Sequence, residues 1–280
     1  MTARVLACTL VLLSAACAAP HLVFPGGTGV PAPEVAEGYD AASVACRGVR
    51  TLTAEISVSG HAGLRKIRGR VLAGFSLPGS LRLEAPAPFG APIFILAGRE
   101  NRTMLLLPRD RRVLRDAPVD EVFEALTGLR RDASDLLALV SGCLISNPRP
   151  TATQARRFPS GWGTLALGDD VEALLQDQRQ RWLVVGGRQF ATGGEPGAAR
   201  WTVSYGEFSA GFPAIVRVWQ ALDPGNTGGL ATELTLRVSQ RETNVPIDAE
   251  AFSLRVPPDA VPMTIEELRQ SGPLADTRSR

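Results

Sequence analysis

Hydrophobic and polar residues alternate along this chain with two periods, one typical of helices and one typical of strands. From Pro33 to about Arg50, apolar residues recur at intervals of three and four, which places them on one face of a helix. From Leu52 onward the period is two, with serine, threonine or glutamate between the apolar residues. Turn residues at 60–63 and 78–79 divide this region. The pattern predicts an amphipathic helix followed by an antiparallel meander of strands.

Two further predicted strands, at residues 93–97 and 104–107, are apolar on both faces. A strand that is buried on both faces needs a cover on each side. The cover is either protein on both sides, or helices on one side and a ligand on the other. Two helices are predicted soon afterwards: the first begins near Pro118 and ends at Gly128, and the second ends at Gly142.

The second half of the chain returns to strand-like alternation. Predicted strands lie at residues 163–167, 171–176, 181–185, 201–208, 214–221 and 230–240, with a last short strand at 252–256 and a helical turn around 265–269. The total is about ten or eleven strands, all in antiparallel order, with about three helices inserted. The predicted fold class is therefore α+β, with one large curved sheet and helices gathered against one of its faces.

The first residues are typical of an export signal. Arg4 precedes an apolar run at residues 5–13, which is too short for a membrane span of about 20 residues. Small residues then lead to Cys17, and residues 14–17 (SAAC) resemble a bacterial lipobox. We expect residues 1–16 to be removed and Cys17 to be the site of lipid attachment. Cleavage by an ordinary signal peptidase after Ala18 is the alternative.

Residues 17–33 are rich in Pro, Gly and Ala and show neither the helical nor the strand period of apolar residues. They are therefore interpreted as a tether. The folded domain is predicted at residues 34–262, and residues 263–280 as a C-terminal helical turn with a flexible tail. Because Ala18 rather than aspartate follows the cysteine, analogy with enterobacterial sorting indicates the outer membrane, with the protein facing the periplasm.

The charge and the cysteine content limit the partners and the cellular compartment that this protein can have. The sequence has 30 Lys and Arg residues against 28 Asp and Glu residues, so nothing indicates a nucleic-acid partner. Of the four cysteines, Cys8 lies in the signal and Cys17 is the predicted lipid site. Cys46 and Cys143 remain, an even pair in an oxidising compartment, and they are predicted to form a disulfide. Two buried free thiols are the alternative.

The sequence offers little for catalysis or metal binding. His21 lies in the tether and His61 in a glycine-flanked turn, where an exposed side chain is the simplest interpretation. The acidic pair Asp169 and Asp170 follows Gly168 and is more simply a turn. We therefore expect no catalytic residues, no metal site and no cofactor, and a protein that acts by binding rather than as an enzyme.

A basic stretch at residues 65–70 contains Arg65, Lys66, Arg68 and Arg70. These side chains could contact anionic headgroups, or they could simply form the solvated face of a strand.

Three sequence segments occur in an order that resembles the LolA/LolB-like superfamily of lipoprotein carriers and receptors. They are LRLEAPAPFG at residues 81–90, EALTG at 124–128 and WTVSYG at 201–206. The resemblance covers about residues 46–245, although residues 145–179 are longer here and do not align. The pair Cys46 and Cys143 is a departure from that family's pattern.

The resemblance implies an open antiparallel half-barrel wrapped over the helices, with an apolar cavity between them that takes acyl chains. The expected partners are acyl chains of lipoproteins or lipids, a periplasmic carrier protein as donor, and the membrane through the lipid anchor. A monomer is expected. The alternative is an envelope sensor or structural lipoprotein that binds a protein partner through the same fold. The candidate cavity residues are Ile56, Val71, Leu83, Phe94, Leu105, Trp201 and Trp219.

The family's receptors carry an exposed apolar residue on a loop between two strands, and Pro88, Phe89 and Gly90 occupy the corresponding place. The resemblance implies that Phe89 protrudes from a membrane-insertion loop. A phenylalanine packed over the end of the barrel is the alternative.

Overall fold

The computed structural model describes residues 22–100, 102–145, 150, 152–179, 181–190, 199–220, 232–271 and 273–274. Its fifteen strands form one sheet and are joined by short turns and four α-helices. The strands are β1 (Val30–Pro31), β2 (Thr51–Ala62), β3 (Arg65–Ser76), β4 (Ser80–Ala85), β5 (Phe94–Arg99), β6 (Arg102–Leu107), β7 (Arg112–Pro118), β8 (Arg156–Phe158), β9 (Trp162–Leu167), β10 (Val171–Gln178), β11 (Arg181–Phe190), β12 (Ala199–Ser209), β13 (Phe212–Gln220), β14 (Thr232–Thr243) and β15 (Val261–Pro262). The helices are α1 (Glu34–Arg47), α2 (Val119–Thr127), α3 (Ala133–Ser141) and α4 (Ile265–Ser271).

The sheet is open, with β1 at one edge and β15 at the other. Its strand order is β1-β8-β9-β10-β11-β12-β13-β14-β2-β3-β4-β5-β6-β7-β15. Neighbouring strands are antiparallel except at the second edge, where β15 pairs parallel to β7. The predicted α+β half-barrel is thus confirmed, while the expectation of an entirely antiparallel sheet is wrong at β15. A two-residue hairpin joins only antiparallel strands. β15 is not joined to β7 by a hairpin, so its direction depends on the longer connection before it.

Fifteen strands exceed the ten or eleven that were predicted, mainly because the additional edge strands are very short. β1, β8 and β15 have two or three residues each, too few to show an alternating pattern. The strand predicted at residues 252–256 does not form. Residues 249–252 make a 3-10 turn capped by the Asp248 carboxylate, and Arg82 donates a hydrogen bond to the Ala251 carbonyl.

The concave face of the sheet holds the apolar half of the alternating pattern. In β2, Leu52, Ile56 and Val58 are buried, while the polar residues between them are partly covered (Thr53, Glu55) or exposed (Ser57). The register pairs Ile56 with Val71 of β3, so the buried positions of neighbouring strands fall on one face. This face carries the main hydrophobic core, which also includes residues of all four helices.

Helices α2 and α3 lie against this face and have clear end signals. Gly128 follows α2 with a φ of 79°, and Gly142 follows α3 with a φ of 95°, both in the left-handed region that favours glycine. At the start of α3, the Asp132 carboxylate accepts a hydrogen bond from the Asp135 backbone N–H. These ends fix the lengths of the two helices and the short connection between them.

The described part of the predicted tether belongs to the folded unit. Val30 and Pro31 pair with Arg157 and Arg156 of β8, and the Ala32 N–H donates to the Ala155 carbonyl. Further upstream, the Phe24 ring lies 4.1 Å from the guanidinium carbon of Arg188. Cys17 and the signal segment lie outside the described residues.

The C-terminal segment also packs into the domain beyond residue 262. Leu268 of α4 is fully buried and α4 packs on α2. The Leu274 side chain is buried, and its carbonyl accepts a hydrogen bond from the Arg68 N–H of β3. Residues 263–274 therefore help to close the concave face instead of extending from it as a free tail.

Candidate functional site

An apolar cavity lies between the concave face of the sheet and the pair of helices α2 and α3. Its walls come from β2 to β5, from β14, from both helices and from the C-terminal segment. Among the described residues of the lining, Thr127 is the one polar residue, and its hydroxyl donates a 2.7 Å hydrogen bond to the Phe123 carbonyl. The lining residues are Ile56, Val58, Val71, Phe75, Leu83, Phe94, Phe123, Leu126, Thr127, Leu129, Leu136, Leu139, Val140, Leu234, Leu236 and Leu274.

The cavity has a volume of about 60 Å³, much smaller than the roughly 300–1,000 Å³ of typical ligand pockets. A lining without an available polar partner does not favour water, so an apolar guest is the occupant that its chemistry suits. A whole acyl chain needs more room than this. Part of the wall would have to move for the cavity to hold such a chain.

The C-terminal end of α3 is fixed to the rest of the protein. Cys46 at the end of α1 forms a disulfide with Cys143, which confirms the predicted pair, and the two Cα atoms are 5.7 Å apart. The Tyr205 hydroxyl accepts a 3.0 Å hydrogen bond from the Leu144 N–H. Arg241 donates hydrogen bonds to the carbonyls of Val140 and Pro213. The pKa of Arg241 is lowered by its burial.

The connection between α2 and α3 is held by weaker contacts. Leu129 inserts into the cavity, while the guanidinium carbon of Arg131 lies 4.3 Å from the centroid of the Trp201 ring. Burial lowers the pKa of Arg131. Arg130 pairs with Asp120 at 2.8 Å on the exposed surface, where ion pairs contribute little to stability. Opening at this connection breaks fewer strong interactions than opening at the disulfide end.

Four of the predicted cavity residues line the cavity: Ile56, Val71, Leu83 and Phe94. Each belongs to a different strand, β2 to β5, and the antiparallel register brings them to one face. The helix residues of the lining were missed as ligand contacts, although their helical spacing is visible in the sequence. Leu274 was also missed, because a single leucine in a polar segment gives no pattern.

The other three candidates lie elsewhere. Leu105 is fully buried and pairs with Leu96, beside the cavity and not in its wall. Trp201 faces the concave side but is covered by Arg131, and its indole N–H donates to the Gln189 side chain. Trp219 lies on the opposite face of β13 from Val218, whose register partner Leu234 lines the cavity. Trp219 is therefore outside the cavity. Alternation along one strand does not show which of its faces is concave, so the sequence could not exclude this residue.

Phe89 protrudes from the loop between β4 and β5. Its side chain is 88% exposed, so it does not pack over the barrel end. Arg109, in the turn between β6 and β7, donates hydrogen bonds to the carbonyls of Phe89, at 2.8 Å, and of Ala91, at 3.2 Å. Gly90 adopts a φ of 76° with open space around it. The loop backbone is therefore braced by Arg109 while the aromatic ring points away from the protein.

Of the groups considered for chemistry, His61 and Asp170 make ordinary surface contacts, and His21 lies outside the described residues. The His61 imidazole lies 3.7 Å from the Glu233 carboxylate, and Asp170 accepts a 2.6 Å hydrogen bond from Gln189. Across the ranges that the structure describes, no group of three or more His, Cys, Asp or Glu side chains is arranged to hold a metal ion. Within the same ranges, no helix is long and apolar enough to cross a membrane.

An open curved sheet that covers a helix pair and encloses an apolar cavity is the architecture that these residues define. Among the solved structures with a similar fold, two are compared with it. A LolA superfamily protein from Nitrosomonas europaea matches with a TM-score of 0.51 and 11% identity, over 80% of this chain and 98% of the other. A DUF1329 family protein from Desulfovibrio piger matches with a TM-score of 0.50 and 11% identity, over 78% and 97% of the two chains.

No family profile matches the sequence, and no curated protein shows significant sequence similarity to it. The chain has the LolA-like fold, and the resemblance seen in the sequence is confirmed at that level.

Proposed function

We propose that this protein is a lipid-anchored acceptor or carrier that binds acyl chains of lipoproteins or lipids and acts in their localisation to the outer membrane. The observation that supports this is the cavity itself, because a curved sheet and two helices enclose a space whose only polar lining group is already hydrogen bonded. Binding is non-covalent, and no catalytic step is part of the proposal.

Acyl chains enter when the connection between α2 and α3 moves away from the sheet. Each methylene that leaves water contributes about 0.8 kcal/mol, and this gain offsets the loss of helix–sheet contacts. Since α3 is fixed at Cys143, the movement is largest at the opposite end, near Leu129. A guest released there passes to the membrane without any energy source, provided that the membrane holds it more strongly.

Anchoring through Cys17 places the protein on the periplasmic side of the outer membrane in this proposal. The support for this location is the export signal together with the lipobox-like segment. A periplasmic carrier is the proposed donor, and the protein is proposed to work as a monomer.

The test of this function is uptake of a fluorescent fatty acid by the full chain. Leu83→Trp fills the cavity, so we expect it to abolish the fluorescence increase that the wild type shows. Leu72→Trp is the matched control. Leu72 is partly exposed and lies on the face of β3 opposite to the neighbouring Ala73, away from the cavity. Overpacking costs about 1–3 kcal/mol, so unfolding midpoints of all three proteins must show that they are folded. Uptake by Leu83→Trp equal to that of the wild type contradicts the proposal. If the wild type itself takes up no fatty acid, the sensor alternative is favoured.

Phe89→Glu is expected to slow the transfer of bound fatty acid into vesicles by about tenfold or more. Burial of a phenylalanine side chain contributes roughly 1.5–3 kcal/mol, and a carboxylate in its place opposes insertion. The rate is measured as the loss of protein-bound fluorescence after vesicles are added. Val44→Glu is the control, because Val44 is 69% exposed on α1. Equal transfer rates for the two variants and the wild type would exclude insertion of Phe89.

A further inference from the structure

The hairpin of β2 and β3 extends well beyond its neighbour β4. Both strands have 12 residues, and they pair along their whole length up to Ala62 and Arg65. β4 pairs with β3 only from Leu72 onward, so residues 65–71 continue past the end of β4. At about 3.3 Å per residue, these residues continue roughly 20 Å past the end of β4, while β14 stays paired with β2 on the other side up to Ala62.

An apolar side chain occupies the tip of this hairpin. Leu64 is 91% exposed, the largest exposure among the large hydrophobic residues that the structure describes. Gly63 beside it has a φ of 60°, which the tight turn requires. A single exposed apolar side chain is common on protein surfaces, so Leu64 supports a contact outside the chain only together with the exposed Phe89 and the basic residues of β3.

The hairpin tip and the Phe89 loop lie at the same end of the sheet. β2 and β4 both run antiparallel to β3, so they run in the same direction. The turn after β2 and the loop after β4 therefore leave the sheet at one end. The turn that contains Arg109, which contacts the Phe89 loop, lies there as well. Two exposed apolar side chains, Leu64 and Phe89, are therefore found at this end of the sheet.

Basic residues follow Leu64 on the solvent-facing side of β3. Lys66, Arg68 and Arg70 are exposed and alternate with the buried Ile67 and Val71. Arg70 pairs with Glu55 at 3.5 Å, farther from the tip. The positions nearest the tip combine one apolar side chain with long cationic ones, the combination that suits the boundary between headgroups and acyl chains.

The acidic neighbours of this surface are few within the described chain. Glu233 faces the His61 imidazole at 3.7 Å, and His61 is the register partner of Lys66. Arg65 donates a 2.8 Å hydrogen bond to the Arg269 carbonyl, which satisfies part of its guanidinium without neutralising it. Among the described residues of the tip, the basic Arg65, Lys66 and Arg68 thus outnumber the acidic Glu233.

We propose that the tip of the β2–β3 hairpin, formed by Leu64, Lys66 and Arg68, docks on a bilayer that contains anionic phospholipid. The tip is a second membrane contact beside Phe89, and the two contacts together set the orientation of the protein. This docking would hold the end of the protein that carries the α2–α3 connection towards the membrane, and that purpose rests on the proposed function. The docking itself depends only on the hairpin.

The test is sedimentation with vesicles of phosphatidylcholine alone or mixed with phosphatidylglycerol. The full chain carries Cys17→Ser in every sample, so that no acyl anchor contributes. We expect binding to the mixed vesicles that weakens as salt is added, because salt screens the attraction. The double variant Lys66→Gln and Arg68→Gln should bind about 20- to 30-fold more weakly at low salt, since each charge near an anionic surface contributes about fivefold. Leu64→Ser should weaken binding about tenfold.

Val44→Ser and Arg237→Gln are the matched controls, one exposed valine on α1 and one arginine in the middle of the convex face. They should bind as the parent does. Binding that is equal on both kinds of vesicle, or that is the same in the hairpin variants as in the controls, overturns the inference. Fatty acid uptake by the same variants separates it from the proposed function: normal uptake with unchanged vesicle binding refutes the hairpin alone. Absent uptake with hairpin-dependent binding refutes the carrier alone.

Discussion

Replacement of both Cys46 and Cys143 by serine is expected to lower the free energy of unfolding by about 4–5 kcal/mol. The disulfide joins residues separated by 97 positions, and closing a loop of that length removes chain entropy from the unfolded state. It also fixes the end of α1 to the end of α3, so its loss frees the helix that lines the cavity. Denaturant unfolding of the wild type and the double variant measures the difference.

The same experiment under reducing conditions supplies its control. Reductant should bring the wild type close to the double variant and leave the double variant unchanged. The cysteines would be shown to be free by an unfolding midpoint of the wild type that does not respond to reductant, together with two more titratable thiols in the unfolded wild type than in the unfolded double variant, both without reductant.

Phe94→Ala is expected to destabilise the empty protein by about 3–5 kcal/mol and to make it responsive to fatty acid. Phe94 is almost fully buried and lines the cavity, so its truncation enlarges the space between the sheet and the helices. An acyl chain that occupies the new space restores stability, by about 2.7 kcal/mol when its concentration is 100 times the Kd. Thermal unfolding with and without fatty acid measures both effects.

Phe252→Ala is the matched control for this prediction. Phe252 is also buried, but it lies against the convex side of the sheet with Ile247 and Ala251. Its truncation should destabilise the protein without any recovery on addition of fatty acid. An equal recovery in both variants would mean that fatty acid stabilises the protein by some route other than the cavity.

The sequence predicts the central strands well because each is long enough to show its period. β2 and β3 alternate over 12 residues each, and the pairing of Ile56 with Val71 follows from the tight turn between them. The ends of α2 and α3 are also predictable, since Gly128 and Gly142 give strong stop signals. The edge strands are not, because two residues such as Val30 and Pro31 have no period.

The site is predictable only in part, for a reason of geometry. Alternation shows which residues of a strand share a face, but tertiary packing decides which face is concave. Leu83 and Phe94 belong to the cavity and Trp219 does not, although all three fit the same pattern. Leu274 lines the cavity although it follows α4 in a segment without an apolar period, so local sequence does not predict its place.

The most direct measurement is native mass spectrometry of the full chain extracted gently from membranes of a Gram-negative host. The proposed function predicts acyl-lipid adducts on the wild type and on Leu72→Trp, and none on Leu83→Trp, in which the cavity is filled. A wild type that is free of lipid, or adducts that are the same on all three proteins, would contradict acyl-chain binding in this cavity.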